Sequence, residues 1–425
     1  MRPVYHKSEL DNGLRIVTHR MSARQSLSLG IFIKVGGRYE NSGNKGMAHF
    51  LEHLLFKGTK NYSCRKIKES IEGVGGSLNG FTSEELTCYL VKIPSLYLDK
   101  ALGILSDMVI SPTLSKVEVK KEKAVILEEL KMYRDLPQSY VYELLDELLW
   151  PGQPLGAPII GTVGSLAGIN GDRLASFKEG YYTASNMVVS AAGDIDEEKL
   201  RKAVAKIFSR LPKRPENRFL KAQDNQEKIG LNLFHKDTEQ THMALGFRGF
   251  KRGHPLRHAL GLLHVILGAN MSSRLFNEVR EKRALAYEIG TIVKRFYDTG
   301  AFLVHAGIDN RKVPAAIALI LKELSRAKNS LVSEDEFRRA KEFYIGQLKL
   351  GLEDTMEHML WIGETTATLE RTYSPDEIIA EVRQVKRSDI LKSARHLFRE
   401  GNLNLSLIGP LKGGEDKIRK QLVLS

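Results

Sequence analysis

Cysteine is almost missing from these 425 residues, with only Cys64 and Cys88 present. Two thiols cannot build a disulfide framework, and without paired CxxC spacing they do not make a thiolate metal site. Long apolar runs are missing too. No window reaches the roughly 18 uninterrupted apolar residues of a membrane-spanning helix, and the stretch Leu260 to Leu267 is broken by His264. Met1 to Leu10 carries Arg2, His6 and Lys7 but no run of roughly 7 to 15 apolar residues of the kind a secretory signal needs. These absences predict a cytoplasmic protein with reduced cysteines and no membrane partner.

Positive charge is in excess, with 64 basic against 51 acidic residues and a net charge of +13. That surplus raises nucleic acid as a partner, but a basic stretch interleaved with aromatics for stacking bases is missing. The basic residues come as short groups such as Lys120-Lys121, Lys213-Arg214 and Arg338-Arg339 inside amphipathic helical patterns. No nucleic-acid partner is expected, and the surplus at most steers acidic peptides or phosphate-rich surfaces. With 42% hydrophobic and 27% charged residues, the composition is that of a globular protein. The length exceeds the roughly 250 to 300 residues at which single cores stop growing, so two domains are expected.

The second half repeats the first. Lys120-Lys121-Glu122 through Glu129-Leu130-Lys131-Met132 lines up with Arg338-Arg339-Ala340 through Gln347-Leu348-Lys349-Leu350, and Asn186 to Gly193 pairs with Asn402 to Gly409. A polar segment beginning Lys213-Arg214-Pro215 and running to Gln226 has the composition of a linker. The division is therefore residues 1–212, a linker at 213–226, and a homologous domain at 227–425. Alternating apolar residues predict strands at Leu14 to Val17, Leu27 to Val35, Ser77 to Phe81 and Thr87 to Ile93. Helical periodicity covers Leu98 to Ile110, Lys116 to Arg134 and Ser139 to Leu149, with Pro137 between the last two. Strands and helices without strict alternation give an α+β class, each domain a largely antiparallel sheet packed by helices.

In His49-Phe50-Leu51-Glu52-His53 the histidines stand four apart, so on a helix both imidazoles project from one face, as zinc requires. Glu52 falls beside them, where a carboxylate can take a proton from the attacking water. Two surface or core histidines with a solvated glutamate would give the same spacing. A third ligand is available from Lys116 to Arg134, where Glu122 and Glu129 lie seven apart on one face. Spacing alone does not choose among Glu118, Glu122, Glu128 and Glu129.

These residues carry a resemblance to the pitrilysin/insulinase family of zinc peptidases, in the branch of mitochondrial processing peptidase and its short bacterial relatives. It covers nearly the whole chain, from Leu10-Asp11-Asn12-Gly13-Leu14 through both halves, and is strongest in His49 to Thr59. The resemblance implies a metallohydrolase fold of the LuxS and processing-peptidase type, with one Zn2+ per chain. It implies His49, His53 and Glu129 as ligands, Glu52 as general base, and Glu122 as the residue orienting a ligand. Gly75 to Thr82 resembles the family's substrate-binding edge strand, on which Asn79 and Gly80 would contact an added peptide strand; a structural hairpin is the plain alternative. The second half has Ala340 and Gln347 in place of Glu122 and Glu129 and no HxxEH after residue 53. It carries Arg280 and Tyr287, similar to the family's Arg/Tyr pair, implying substrate-backbone and oxyanion contacts; a basic helix end followed by a buried strand tyrosine is the other reading. The implied activity is a metalloendopeptidase that holds extended oligopeptides or N-terminal segments in an enclosed chamber. The implied assembly is a homodimer, or a heterodimer with a paralogue, with the Arg/Tyr pair acting in the partner's site. The alternative is a catalytically silent relative acting as a structural or partner subunit.

Overall fold

The structure, a computed structural model, describes residues 5–215, 217–369 and 371–424. It divides into two compact units. One comprises Met1–Leu130, Pro158–Leu220 and Lys349–Asp376, the other Lys131–Ala157, Lys221–Leu348 and Glu377–Ser425. Each unit thus takes in one segment from the opposite half of the sequence.

The first unit holds β1 (His6–Glu9), β2 (Arg15–Arg20), β3 (Ser26–Ile33), β4 (Ser77–Thr82), β5 (Thr87–Pro94) and β6 (Met187–Gly193) in the order β1-β2-β6-β3-β5-β4. Only β2 and β6 run parallel; the other pairs are antiparallel. The second unit holds β7 (Gly230–His235), β8 (Gln240–Gly249), β9 (Ala286–Arg295), β10 (Gly300–Asp309) and β11 (Leu403–Gly409) in the order β7-β11-β8-β10-β9. Here β7 and β11 are the parallel pair. Setting β1 aside, strand order and parallel position are the same in both sheets, so the sequence repeat is a repeat of topology. The architecture is α+β with mixed, largely antiparallel sheets packed by helices, as the sequence predicts.

Strand β3 shows how one sheet is covered on both faces. Leu27, Leu29, Ile31 and Ile33 alternate onto the main core, shared with the helices α1 (Met47–Leu55), α2 (Cys64–Glu72), α3 (Leu98–Ile110) and α4 (Lys116–Asp135). The intervening Ser28, Gly30 and Phe32 face the helix Thr355–Leu369. Ser28 Oγ and Thr355 Oγ1 are 2.9 Å apart, and Ser190 Oγ donates to Met359 O at 2.7 Å. Small residues allow this approach: a Cβ at Gly30 would lie 2.6 Å from Met359 Sδ. In the second unit α5 (Pro137–Leu149) lies on β8 and β11 in the same manner, Leu145 packing where Gly246 lacks a side chain. Pro137 opens α5 and does not merely separate two helices, because a first-turn proline gives up no helical hydrogen bond.

A Cβ on Gly363 would meet Phe32 Cε2 at 2.2 Å, and Phe32 is fully buried. Gly363→Ala gains about 1 kcal/mol of helix propensity, yet it is expected to be net destabilising, because overpacking costs about 1–3 kcal/mol. Urea unfolding should show a lower midpoint; a higher one would mean that this helix does not rest on Phe32.

Candidate metal centre

Helix α1 begins at a position only glycine fills. Gly46 has φ 86°, and a Cβ there would also sit 2.6 Å from Ile160 O. Glycine brings no side chain to the free N–H groups of the first turn. Glu40 supplies the acceptor instead, Oε2 accepting from Gly46 N at 2.8 Å and Oε1 from Ala48 N at 2.7 Å. Glu40 is only 2% exposed. Burial pushes its carboxyl up to about 7, against those bonds and the neighbouring Lys45 charge.

One turn on, His49, Glu52 and His53 share a face of α1. Opposite them, Val119, Ile126 and Leu130 fix α4 in the core and bring Glu122 and Glu129 to α1. His49 Nε2 lies 3.7 Å from Glu129 Oε1, and His53 Nε2 lies 3.5 Å from Glu129 Oε2. One donor atom from each of the three residues falls within 4.8 Å of the others. Such separations are at or beyond the limit for hydrogen bonds. They are close to the about 3.3 Å between ligand atoms placed about 2.0–2.1 Å from a tetrahedral centre. Glu129 Oε2 is buried with no hydrogen-bond partner among the described residues, a costly state for a carboxylate unless a cation meets it. Two imidazoles and a carboxylate are a donor set that zinc takes, so the residues fit that ion.

Local charge prepares the ligands differently. Burial, aided by His53, depresses His49 to about 3, which keeps it neutral as a ligand must be. His53 moves the other way: burial opposes its charge, but the Glu122 hydrogen bond and the charges of Glu52 and Glu129 prevail. Glu122 Oε1 is 2.9 Å from His53 Nδ1, and Glu122 Oε2 is 2.7 Å from Lys57 Nζ. Burial tends to raise Glu122, yet those two partners hold it below the usual carboxylate range. Burial raises Glu129 and pushes Glu52 up to about 7, with His53 pulling back.

Strand β4 is the outer strand of its sheet and pairs with β5 alone among the described residues. A Cβ at Gly80 would lie 3.0 Å from both Glu52 Oε1 and Phe56 Cζ, so this glycine keeps the carboxylate's surroundings open. Asn79 is exposed, its Oδ1 accepting from Gly80 N at 2.8 Å. Arg280 and Tyr287 form a pair in the second unit. Arg280 lies in a π-helical turn, Phe276–Glu281, and its guanidinium carbon is 5.4 Å from the Tyr287 ring centre. Tyr287 is 75% exposed, which excludes the buried strand tyrosine considered from sequence. Between the two, Ala284 takes a left-handed φ of 47°, a strained choice for a residue with a Cβ.

The structure thus gathers His49, Glu52, His53, Glu122 and Glu129 beside Gly80, and separately joins Arg280 to Tyr287. Sequence reasoning missed Glu40 and Lys57. Lys57 stands four residues after His53, a spacing that could have drawn attention to it; Glu40 lies in a loop with no local signal.

Comparison with known proteins gives the family of the chain. Residues 15–163 match the family described as insulinase (peptidase family M16), and residues 168–344 match the peptidase M16 inactive domain. The uncharacterized zinc protease YmxG of Bacillus subtilis is 36% identical, covering 94% of this chain and 97% of its own. An uncharacterized zinc protease of Rickettsia bellii is 34% identical, covering 96% and 98%. A protease from Helicobacter pylori has the same fold, with a TM-score of 0.89 at 24% identity over 96% of this chain and 100% of its own. The chain belongs to the insulinase (M16) family of peptidases, and its relatives' names point to zinc.

Glu40 gives a pH test. Its folded-state value near 7 lies above the unfolded one, so folding takes up a proton there. The associated stability is complete below about pH 4.5 and is lost as the pH rises through about 7. Glu40→Gln removes this titration. Urea midpoints between pH 4.5 and 8 should show the wild type losing stability relative to the variant; a constant difference would count against a buried, titrating Glu40.

Proposed function

We propose that the chain is a zinc metalloendopeptidase acting on extended peptides. The observation that carries this reading is the convergence of His49, His53 and Glu129, whose buried Oε2 accepts no hydrogen bond among the described residues, with Glu52 beside them and the β4 edge next to Glu52. His49, His53 and Glu129 hold one zinc per chain. Bound there, zinc supplies Lewis acidity to the scissile carbonyl and acidity to water. Glu52 takes a proton from the attacking water and returns it to the leaving amine.

The free β4 edge accepts a substrate as an added strand, with backbone hydrogen bonds giving affinity whatever the side chains. Gly80 permits close approach and Asn79 contacts the peptide. Oligopeptides and N-terminal segments are the substrate class. Arg280 binds substrate backbone and Tyr287 stabilises the developing oxyanion; their mutual packing and the exposure of Tyr287 support a role outside the core. Ala340 and Gln347 leave the described residues of 227–425 without counterparts of Glu122 and Glu129; the sequence repeat supports a division at the 213–226 linker. The assembly is a homodimer with Arg280 and Tyr287 serving the partner's site. The setting is cytoplasmic, consistent with Cys64 and Cys88 both being free. Among the described residues no helix is long and apolar enough to cross a membrane.

Cleavage of a mixed peptide library by purified protein tests the activity. Glu52→Gln should lower the rate by about 10²–10⁴-fold while retaining zinc, and a chelator should abolish cleavage. Activity that survives both would sink the peptidase reading. Mixing Glu52→Gln chains with Tyr287→Phe chains should recover partial activity through one intact composite site, whereas no recovery would refute action in trans.

A further inference from the structure

We infer that Lys57 is a positioning residue of the metal centre, acting through Glu122 to fix the orientation and tautomer of His53; the inference rests on the zinc-peptidase reading above. Glu122 is 4% exposed on its side chain, and both its oxygens are engaged in opposite directions. Oε2 accepts from Lys57 Nζ at 2.7 Å, while Oε1 meets His53 Nδ1 at 2.9 Å. A carboxylate anchored at its far oxygen presents the near oxygen as a fixed acceptor. The proton of His53 then lies on Nδ1, and the lone pair lies on Nε2, the atom 3.5 Å from Glu129 Oε2.

His49 lacks such a handle, because its Nδ1 is buried without a hydrogen-bond partner among the described residues. The burden of ordering the imidazoles therefore falls on His53. The anchor also joins two separate elements. Lys57 follows the end of α1, whose C-cap is Phe56, and Glu122 comes from α4, so the Lys57–Glu122 contact ties the helix bearing both histidines to the helix bearing Glu129. Lys57 is 30% exposed, enough to be replaced without opening a cavity.

The experiment measures zinc affinity of the metal-free protein by competition with a chromophoric chelator at fixed pH, with no activity readout. Lys57→Met should weaken zinc binding about tenfold, the low end of losses on removing groups that orient metal ligands. Lys57→Gln, a second neutral variant, should show a similar loss. Lys57→Arg should restore wild-type affinity to within about twofold, since it keeps the charge and the donor. In a Glu122→Gln background Lys57→Met should cost nothing further, because its effect passes through that carboxylate. Unfolding midpoints of the metal-free Lys57→Met and Lys57→Gln variants should fall, because Glu122 loses its counter-charge; zinc affinity is therefore read well below each variant's transition, where the protein is folded, so that a loss of positioning is measured apart from the loss of stability. If the wild type binds one zinc and Lys57→Met and Lys57→Gln bind as tightly, or if the loss persists in the Glu122→Gln background, the inference is overturned. A wild type that takes up no zinc would overturn both this inference and the peptidase reading.

Discussion

Three carboxylates, Glu52, Glu122 and Glu129, and two imidazoles are packed where α1 faces α4, most of them substantially removed from water. Removing like charges from solvent is expensive unless opposite charge is close. Lys57 answers Glu122, and His53 lies between the acids, but Glu129 Oε2, 3.5 Å from His53 Nε2, accepts no hydrogen bond from any described residue. A dication is the simplest completion of this charge pattern. The surrounding structure serves to hold the two helices at that distance.

Each helix is held by a different kind of force. On α4, Val119, Ile126 and Leu130 anchor one stripe in a well-filled core, and hydrophobic burial sets the helix's rotation. On α1 the core contacts of Phe50, Leu51, Leu54 and Leu55 are joined by a polar clamp, in which the buried Glu40 carboxylate stands in for the capping side chain that Gly46 cannot provide. Glycine at 46 is needed because the chain turns left-handed there and passes close to Ile160. One local constraint thereby creates another, the need for an acceptor from the loop just before the helix. Downstream, β4 presents its outer edge because no described strand follows it in the sheet, and Gly80 keeps the space beside Glu52 free.

The two sheets share one strand order, yet their chemistry has diverged. In the second unit Ala340 and Gln347 stand where Glu122 and Glu129 stand in the first, and a Cβ at Gly261 would lie 2.7 Å from the Tyr344 ring. The carboxylate pair of the first unit has no counterpart at these two positions. What this half offers is an exposed tyrosine beside an arginine, at the start of an outer strand and after a strained turn.

By itself the sequence determined the elements whose physics is local. The four-residue spacing of His49 and His53 and the seven-residue spacing of Glu122 and Glu129 each set a helix face, because helical periodicity depends only on position in the chain. Alternation in Leu27, Leu29, Ile31 and Ile33 marked a strand for the same reason, and the aligned halves announced two sheets of one topology. Tertiary structure decided which carboxylates meet the imidazoles, since α1 and α4 are brought together by core packing between residues far apart in sequence. It alone showed that Ser28, Gly30 and Phe32 lie under the helix Thr355–Leu369, that Glu40 caps α1, and that Lys57 reaches Glu122. Those contacts join residues whose spacing carries no period, so only the folded chain, in which burial makes an unpartnered charge costly, could reveal them.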